Sequence, residues 1–150
     1  MNCSEIIFKT KTASEEDILL HLQTCSSNFI PDLNETVNIP EYSKKIFSRA
    51  ITFEAWVGDK LIGLVASYMN DTVTHQAFIT SVSVYKEYFG TGVALEILSM
   101  CIHYAEIHRF STISLEVNKQ NNVAVKLYEK YGFKIFAEEG KLFLMKLEIL

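Results

Sequence analysis

Cysteine is scarce in this sequence, and what there is does not pair. Cys3, Cys25 and Cys101 are an odd number, widely spaced, with no CxxC pair. That weighs against a disulfide framework and a zinc site and fits a reducing compartment. The four histidines, His21, His75, His103 and His108, form no HExxH pattern, and the last two are five residues apart, on different faces of any helix. No metal site is predicted. Basic excess is also lacking. Fourteen Lys and Arg face 18 Asp and Glu, for a net charge of -4, which argues against a nucleic-acid partner held by phosphate contacts. The richest apolar stretch, Val93 to Tyr104, is broken by Glu96 and His103 and is too short to span a bilayer. The opening residues MNCSEIIFKTKTASEED lack the basic-then-apolar order of a signal peptide. The expectation is a soluble, cytoplasmic protein with no membrane partner.

Ordinary globular composition remains, with about half of the residues hydrophobic (49%) and about a fifth charged (21%). Residues 1–150 suit one domain that buries enough surface to need no staple. Ile6 to Thr10 reads as a strand, and Ser14-Glu15-Glu16-Asp17 as a capping-box helix start. Ile18, Leu19, Leu22 and Cys25 then recur with a helical period. Asn28 to Pro40, with both prolines, reads as a loop, and Glu41 to Ala50 as a helix whose apolar face is Tyr42, Ile46 and Phe47. Ile51 to Val57 and Lys60 to Met69 flank the turn dipeptide Gly58-Asp59, which predicts a hairpin. Gln76 to Tyr85 is a strand rich in β-branched and aromatic residues. A helix with the stripe Ala94, Ile97, Leu98, Cys101, Ile102 and Ala105 follows, then a strand over Ile113 to Val117 and a helix over Asn121 to Tyr131. Phe133 to Glu138 and Leu142 to Ile149 close the chain as strands; the last, with Phe143, Met145, Leu147 and Ile149, is a candidate edge for homodimer pairing. The order β-α-α-β-β-β-α-β-α-β-β specifies a mixed α/β sheet rather than a pure βαβ series.

Two stretches carry chemistry. In the first, Val82-Ser83-Val84-Tyr85-Lys86-Glu87-Tyr88-Phe89-Gly90-Thr91-Gly92-Val93-Ala94 joins a buried strand to a helix N-terminus. Glycines there admit a ligand close to the backbone, and the orphan N–H groups of the first turn suit phosphate or pyrophosphate. The same glycines also serve a plain tight turn. A Walker A loop is excluded because Val93 and Ala94 follow Gly92, and the third glycine of GxGxxG is absent.

The second stretch runs from Leu115-Glu116-Val117 through Asn121 to Leu127-Tyr128-Glu129-Lys130-Tyr131-Gly132-Phe133. It resembles the signature LEV…N..A..LYEK.GF of the GNAT family of N-acetyltransferases. The first stretch is similar to that family's acetyl-CoA motif, Gln/Arg-x-x-Gly-x-Gly/Ala, preceded by a strand ending in V-x-V. Together the two cover about a third of the chain, in the family's order. The resemblance implies an α/β (α+β) fold: a mixed, mostly antiparallel sheet flanked by about four helices, with strands splayed at the acetyl-CoA site. It implies that Val82, Ser83 and Val84 lie on the strand that pairs with the pantetheine arm and acetyl carbonyl. The N–H groups of Gly90, Thr91, Gly92, Val93 and Ala94 would receive the pyrophosphate, and Asn121 would contact the cofactor. The family's Gln or Arg falls at Phe89, so one side-chain contact departs from the pattern; Lys86 or Lys126 is the candidate replacement charge.

Acetyl transfer to an amine needs a deprotonated nucleophile, a polarised carbonyl and a proton for the leaving thiolate. The resemblance assigns the proton donor to Tyr128, which read alone is a core aromatic. Glu116 is the candidate base: Ile113, Leu115 and Val117 share one strand face and leave Ser114 and Glu116 on the other. Some family members carry a glutamate at this position, twelve residues before the tyrosine, and in others it is structural. Glu54 is the alternative base, bordering the same cleft or facing solvent. Ser81 and Ser83 alternate on the central strand and could orient water. Phe29 and Leu33, in an unusually apolar loop, form an acceptor wall or tuck into the core. The block FIPDL…EYSKKIFSRAITFEAW is also similar to GNAT proteins of bacterial surface-polysaccharide synthesis, which implies an amino-sugar acceptor. The reading is therefore an acetyl-CoA-dependent N-acetyltransferase for a small-molecule amine. A peptide N-terminal acetyltransferase and a non-catalytic acyl-CoA-binding module stand as alternatives.

Overall fold

The computed structural model describes residues 5–149; Cys3 lies outside them. The strands β1 (Ile7–Thr10), β2 (Ala50–Val57), β3 (Lys60–Tyr68), β4 (Gln76–Val84), β5 (Thr112–Asn118), β6 (Lys134–Glu139) and β7 (Leu142–Glu148) form one sheet in the order β1-β2-β3-β4-β5-β7-β6. Only β4 and β5 run parallel; every other neighbouring pair is antiparallel. That pair is joined through a helix, as a parallel connection requires. The helices are α1 (Glu15–Cys25), α2 (Leu33–Thr36), α3 (Ile39–Arg49), α4 (Val93–Ile107) and α5 (Asn122–Lys130). No helix of the described residues is long and apolar enough to cross a membrane.

Local chemistry accounts for the helix boundaries. Ser14 caps α1, its side chain accepting from the Asp17 N–H while the Asp17 carboxylate accepts from the Ser14 N–H. Asn38 caps α3, with Pro40 in the first turn where its missing N–H costs nothing. The segment Asn28 to Pro40 is thus more ordered than a loop: Asp32 caps the single turn α2, and α3 begins at Ile39. Within α3 the buried residues are Ile39, Ser43 and Ile46, whereas Phe47 is 44% exposed. The candidate dimer edge is also corrected. Strand β7 lies inside the sheet, paired to β5 and β6, and the edges are β1 and β6.

Two apolar clusters sandwich the sheet. Helix α1 and α3 residues Ile18, Leu22 and Ile46 pack with Trp56, Leu61, Leu64 and Ala66, while α4 residues Ile97, Leu98 and Cys101 pack with Phe53, Val65, Ile79 and Ile113. Gly63 on β3 lets α4 come close, since a Cβ there would meet Val93 Cγ1 at 3.0 Å and Ile97 Cδ1 at 3.3 Å.

Two buried polar side chains tie the α1 side together. Glu54, which the sequence leaves bordering the cleft or facing solvent, does neither and is fully buried on β2. Its carboxylate accepts from the Thr12 N–H (2.9 Å) and hydroxyl (2.5 Å), the Ala13 N–H (3.1 Å), the Thr52 hydroxyl (2.5 Å) and the Trp56 indole N–H (3.0 Å). So many donors let a carboxylate leave water, and they lock the β1–α1 connection onto the sheet. His21 on α1 sits equally deep, Nδ1 at 2.7 Å from the Leu61 carbonyl and Nε2 at 2.8 Å from the Ser83 hydroxyl, its ring stacked on Tyr85. Burial lowers its pKa to about 4, with the bonds to Leu61 and Ser83 pulling the other way. The Cys25 thiol, 3.7 Å from Nε2, is pushed up to about 12 by burial and by the charge of Glu87.

Replacing Glu54 with Gln turns one of its two oxygens into an amide donor that faces other donors. We expect a loss of roughly 2–4 kcal/mol in urea unfolding, with the folded chain's spectrum retained. His21 gives a pH signature. Its unfolded pKa lies near 6.5 and its folded value near 4, so the unfolded chain takes up the proton first and stability falls as pH drops from about 6.5 towards 4. That loss is about 3 kcal/mol in wild type and absent in His21→Gln. Urea midpoints of the two proteins at pH 7 and pH 4.5 read it as a difference.

Candidate functional site

Strands β4 and β5 are paired only at their N-terminal ends, from Gln76↔Thr112 to Ile79↔Leu115. Beyond that they part, although both continue: β4 to Val84 along β3, and β5 to Asn118 along β7. The outer neighbours hold each strand in place, so the gap is a fixed feature of the sheet. A cleft of about 760 Å³ fills it, lined by Ile79 to Val84 on one wall and Leu115 to Asn118 on the other. Parted strands leave inward-facing N–H and C=O groups without a ladder, and those groups need another partner.

A bulge lies at the point of parting. The β3–β4 register slips between Ser67↔Ile79 and Ala66↔Ser81, leaving Thr80 as the extra residue. The slip exchanges the faces of the strand. Ala77 and Ile79 belong to the α4 cluster; after the bulge Val82 and Val84 take that side, and Ser83 turns to His21 on α1. The Tyr42 hydroxyl of α3 secures the bulge at 2.7 Å from the Thr80 carbonyl and 2.6 Å from its hydroxyl.

One end of the cleft is the turn into α4. Gly90 and Gly92 have φ of +75° and +87°, and a Cβ at either would meet nothing within 4 Å, so the surface there is open. Gly92 is the N-cap and supplies no side-chain cap, which leaves the first-turn N–H groups of α4 for an anionic ligand. Phe89, 56% exposed, lines this mouth with Tyr88. The other helix, α5, presents Val123, Ala124, Leu127 and Tyr128. Asn121 caps it, Oδ1 accepting from the Ala124 N–H at 3.2 Å. Tyr128 is 7% exposed, and burial raises its pKa well above the ordinary phenol value. Exposed Glu116 on β5 is the only charged side chain among the described residues lining the cleft.

The sequence-assigned positions divide accordingly. The cleft brings together Val82, Ser83, Val84, Phe89, Gly90, Gly92, Val93, Ala94, Glu116, Asn121 and Tyr128, with Phe29 from the connection after α1. Five positions lie elsewhere. Leu33 is 5% exposed in the α1–α3 core. Glu54 is the buried anchor of the β1–α1 connection. Lys126 is exposed on the side of α5 away from the residues that line the cleft. Thr91 folds back, its N–H at 3.3 Å and hydroxyl at 2.5 Å from the Tyr88 carbonyl, and does not line the cleft. Lys86 does not line it either. Val123 and Leu127, spaced i and i+4, were not singled out from sequence, although with Ala124 and Tyr128 they make a legible stripe. His21 carried no sequence signal, because its partners are 40 and 62 residues away.

This geometry agrees with what the chain resembles. The model of the acetyltransferase (GNAT) family matches residues 17–133. A probable spermine N(1)-acetyltransferase of Bacillus subtilis subsp. natto is 29% identical over 83 residues, 55% of this chain and 55% of that protein. The matched stretch thus spans about half the length of this curated relative. A Pyrococcus horikoshii crystal structure has a TM-score of 0.78 at 24% identity, covering 96% of this chain and 98% of that one. The PaiA N-acetyltransferase of Thermoplasma acidophilum, solved in complex with coenzyme A, has a TM-score of 0.73 at 16% identity, covering 95% and 99%. With more than three quarters of its length inside the family model, the chain belongs to the GNAT acetyltransferase family.

Proposed function

We propose that this protein is an acetyl-CoA-dependent N-acetyltransferase for a small-molecule primary amine. The observation that carries the reading is the cleft between β4 and β5, with the uncapped α4 N-terminus at one end and Tyr128 and Glu116 on its walls. The cleft suits a CoA thioester. Its unladdered strand edges offer N–H and C=O groups to the amides of a pantetheine arm, and the amides of Gly90, Gly92, Val93 and Ala94 offer donors to a pyrophosphate. With no cation on the lining, backbone amides and the helix dipole carry that contact. Acetyl-CoA supplies an acyl group already activated as a thioester.

The residues then take distinct roles. Val82 and Val84 keep the α4 side of β4 apolar while the backbone between them meets the arm. Tyr128 holds its proton firmly because burial disfavours the phenolate, and so keeps it at its hydroxyl for the leaving thiol. Glu116 accepts the proton of the ammonium, directly or through a water, and its charge favours a cationic acceptor. Asn121, with Oδ1 committed to its helix, keeps its amide N–H groups for the cofactor. The spermine relative supports a polyamine over an amino sugar as the amine.

A panel of polyamines, amino sugars and N-terminal peptides, with acetyl-CoA and detection of free thiol, tests the reading. We expect turnover with a small amine. Tyr128→Phe should lower kcat roughly a hundredfold or more, with the acetyl-CoA KM little changed. Glu116→Gln should lower kcat/KM for the amine at neutral pH by a similar factor. Unchanged turnover in Tyr128→Phe would remove the acid from the scheme. CoA binding without turnover on any amine would identify an acyl-CoA-binding module instead.

A further inference from the structure

Three large apolar side chains of the cleft lining are turned to solvent: Ile30 at 46% exposure, Phe89 at 56% and Val123 at 83%. Ile30 belongs to the connection after α1. Phe89 stands directly before Gly90, in the turn into α4, where the resembled family carries Gln or Arg. Val123 is in the first turn of α5. Along α5 the lining passes from exposed Val123 to buried Tyr128, so Val123 marks the solvent end of that wall. The backbone around Phe89 is tied on both sides. Its own N–H donates to the Lys86 carbonyl at 3.1 Å, and the Thr91 N–H and hydroxyl donate to the Tyr88 carbonyl at 3.3 and 2.5 Å. A side chain carried on so fixed a turn loses little freedom when a ligand covers it. Beside it, Gly90 and Gly92 have open space where a Cβ would stand.

We propose that Phe89 seats the adenine base of the CoA thioester by stacking, with Val123 as an apolar contact from the α5 wall. The proposal rests on the acetyl-CoA reading and deepens it. CoA is a linear molecule, with the thiol at one end, then the pantetheine arm, the pyrophosphate and the adenosine. With the arm between β4 and β5 and the pyrophosphate on the amides of the α4 turn, the adenosine is left on the solvent side of the phosphates. Phe89 is the exposed ring at that place. A nucleobase stacks on an aromatic face without needing charge. Such a contact supplies what this end of the cleft lacks, because no cation lines it among the described residues and the phosphates meet amide dipoles alone. The seat sets donor choice: it favours a CoA thioester over a phosphopantetheine thioester, which has the same arm and no base.

The test is calorimetric titration of the protein with CoA and, separately, with 4′-phosphopantetheine, which needs no turnover. Phe89→Ala should raise the CoA Kd roughly ten- to hundredfold and leave the phosphopantetheine Kd within about twofold. Phe89→Trp, which keeps a stacking face, should hold CoA affinity, whereas Phe89→Leu, apolar without one, should lose most of it. Val123→Ser should weaken CoA alone, by a smaller factor. Both positions are exposed, so urea midpoints of the variants should match wild type. An unchanged CoA Kd in Phe89→Ala, or a Leu variant equal to wild type, refutes the seat. If both ligands weaken alike, the ring covers the pantetheine arm and the proposal fails. It fails too if both Kd values hold and only the amine KM rises, since the ring then serves the acceptor. A wild type that binds neither ligand would remove the acetyl-CoA reading and the proposal together. The expected binding pattern in a wild type that acetylates no amine would support the seat and overturn the transferase reading.

Discussion

The structure turns on a ladder that stops. After the Ile79↔Leu115 pair, two adjacent parallel strands keep their direction and lose each other as partners. In the interior of a sheet this is costly, because each unpaired N–H or C=O must find water or a ligand. The cost is tolerable only where the strands are held from outside. Strand β4 is paired to β3 as far as Val84, and β5 to β7 over its whole length. Everything else serves to keep that opening shaped. Gly63 draws α4 close so that its N-terminus reaches the mouth, and the Tyr131 hydroxyl of the α5 end bonds the Leu95 carbonyl at 2.8 Å, fixing one helix to the other.

The bulge at Thr80 makes the two walls of β4 chemically different. A regular strand would put Ile79, Ser81 and Ser83 on one face and Thr80, Val82 and Val84 on the other. The extra residue instead keeps the α4 side apolar along its length, with Ala77, Ile79, Val82 and Val84, and collects the hydroxyls on the α1–α3 side. Tyr42 holds the bulge from α3, His21 holds the serine from α1, and Glu54 holds the start of α1 to the sheet. The polar groups buried on that side thus form a chain of supports running from the N-terminal strand to the wall of the cleft.

What the sequence disclosed follows from the range of each signal. The capping box at Ser14, the Gly58-Asp59 hairpin and the apolar stripe of α4 are local, and each element lies within a few residues of its expected bounds. The family resemblance supplied the parting of β4 and β5, which no local pattern encodes. Glu54 escaped because a carboxylate between Phe53 and Ala55 reads as solvent-facing until its donors, 41 and 42 residues earlier in the chain, are in place. Leu33 escaped because a single capped turn in a proline-bearing segment buried it. The edge strand was misassigned because the order β5-β7-β6 puts the last strand inside, and chain order carries no trace of that.

Charge within the cleft completes the argument. Among the described residues its lining carries one carboxylate and no cation, although any CoA ligand is strongly anionic. Phe89 lines the mouth, whereas Lys86, three residues earlier, does not. The two needs are reconciled by position. In the proposed reading, anionic phosphates meet amide dipoles at the α4 end that carry no net charge, which leaves the field of the exposed Glu116 intact. A basic residue on the lining would strengthen phosphate binding and weaken the attraction for an ammonium in the same low-dielectric space. On that reading, a lining free of cations favours a cationic acceptor and leaves the cofactor's phosphates to backbone geometry at Gly90 and Gly92.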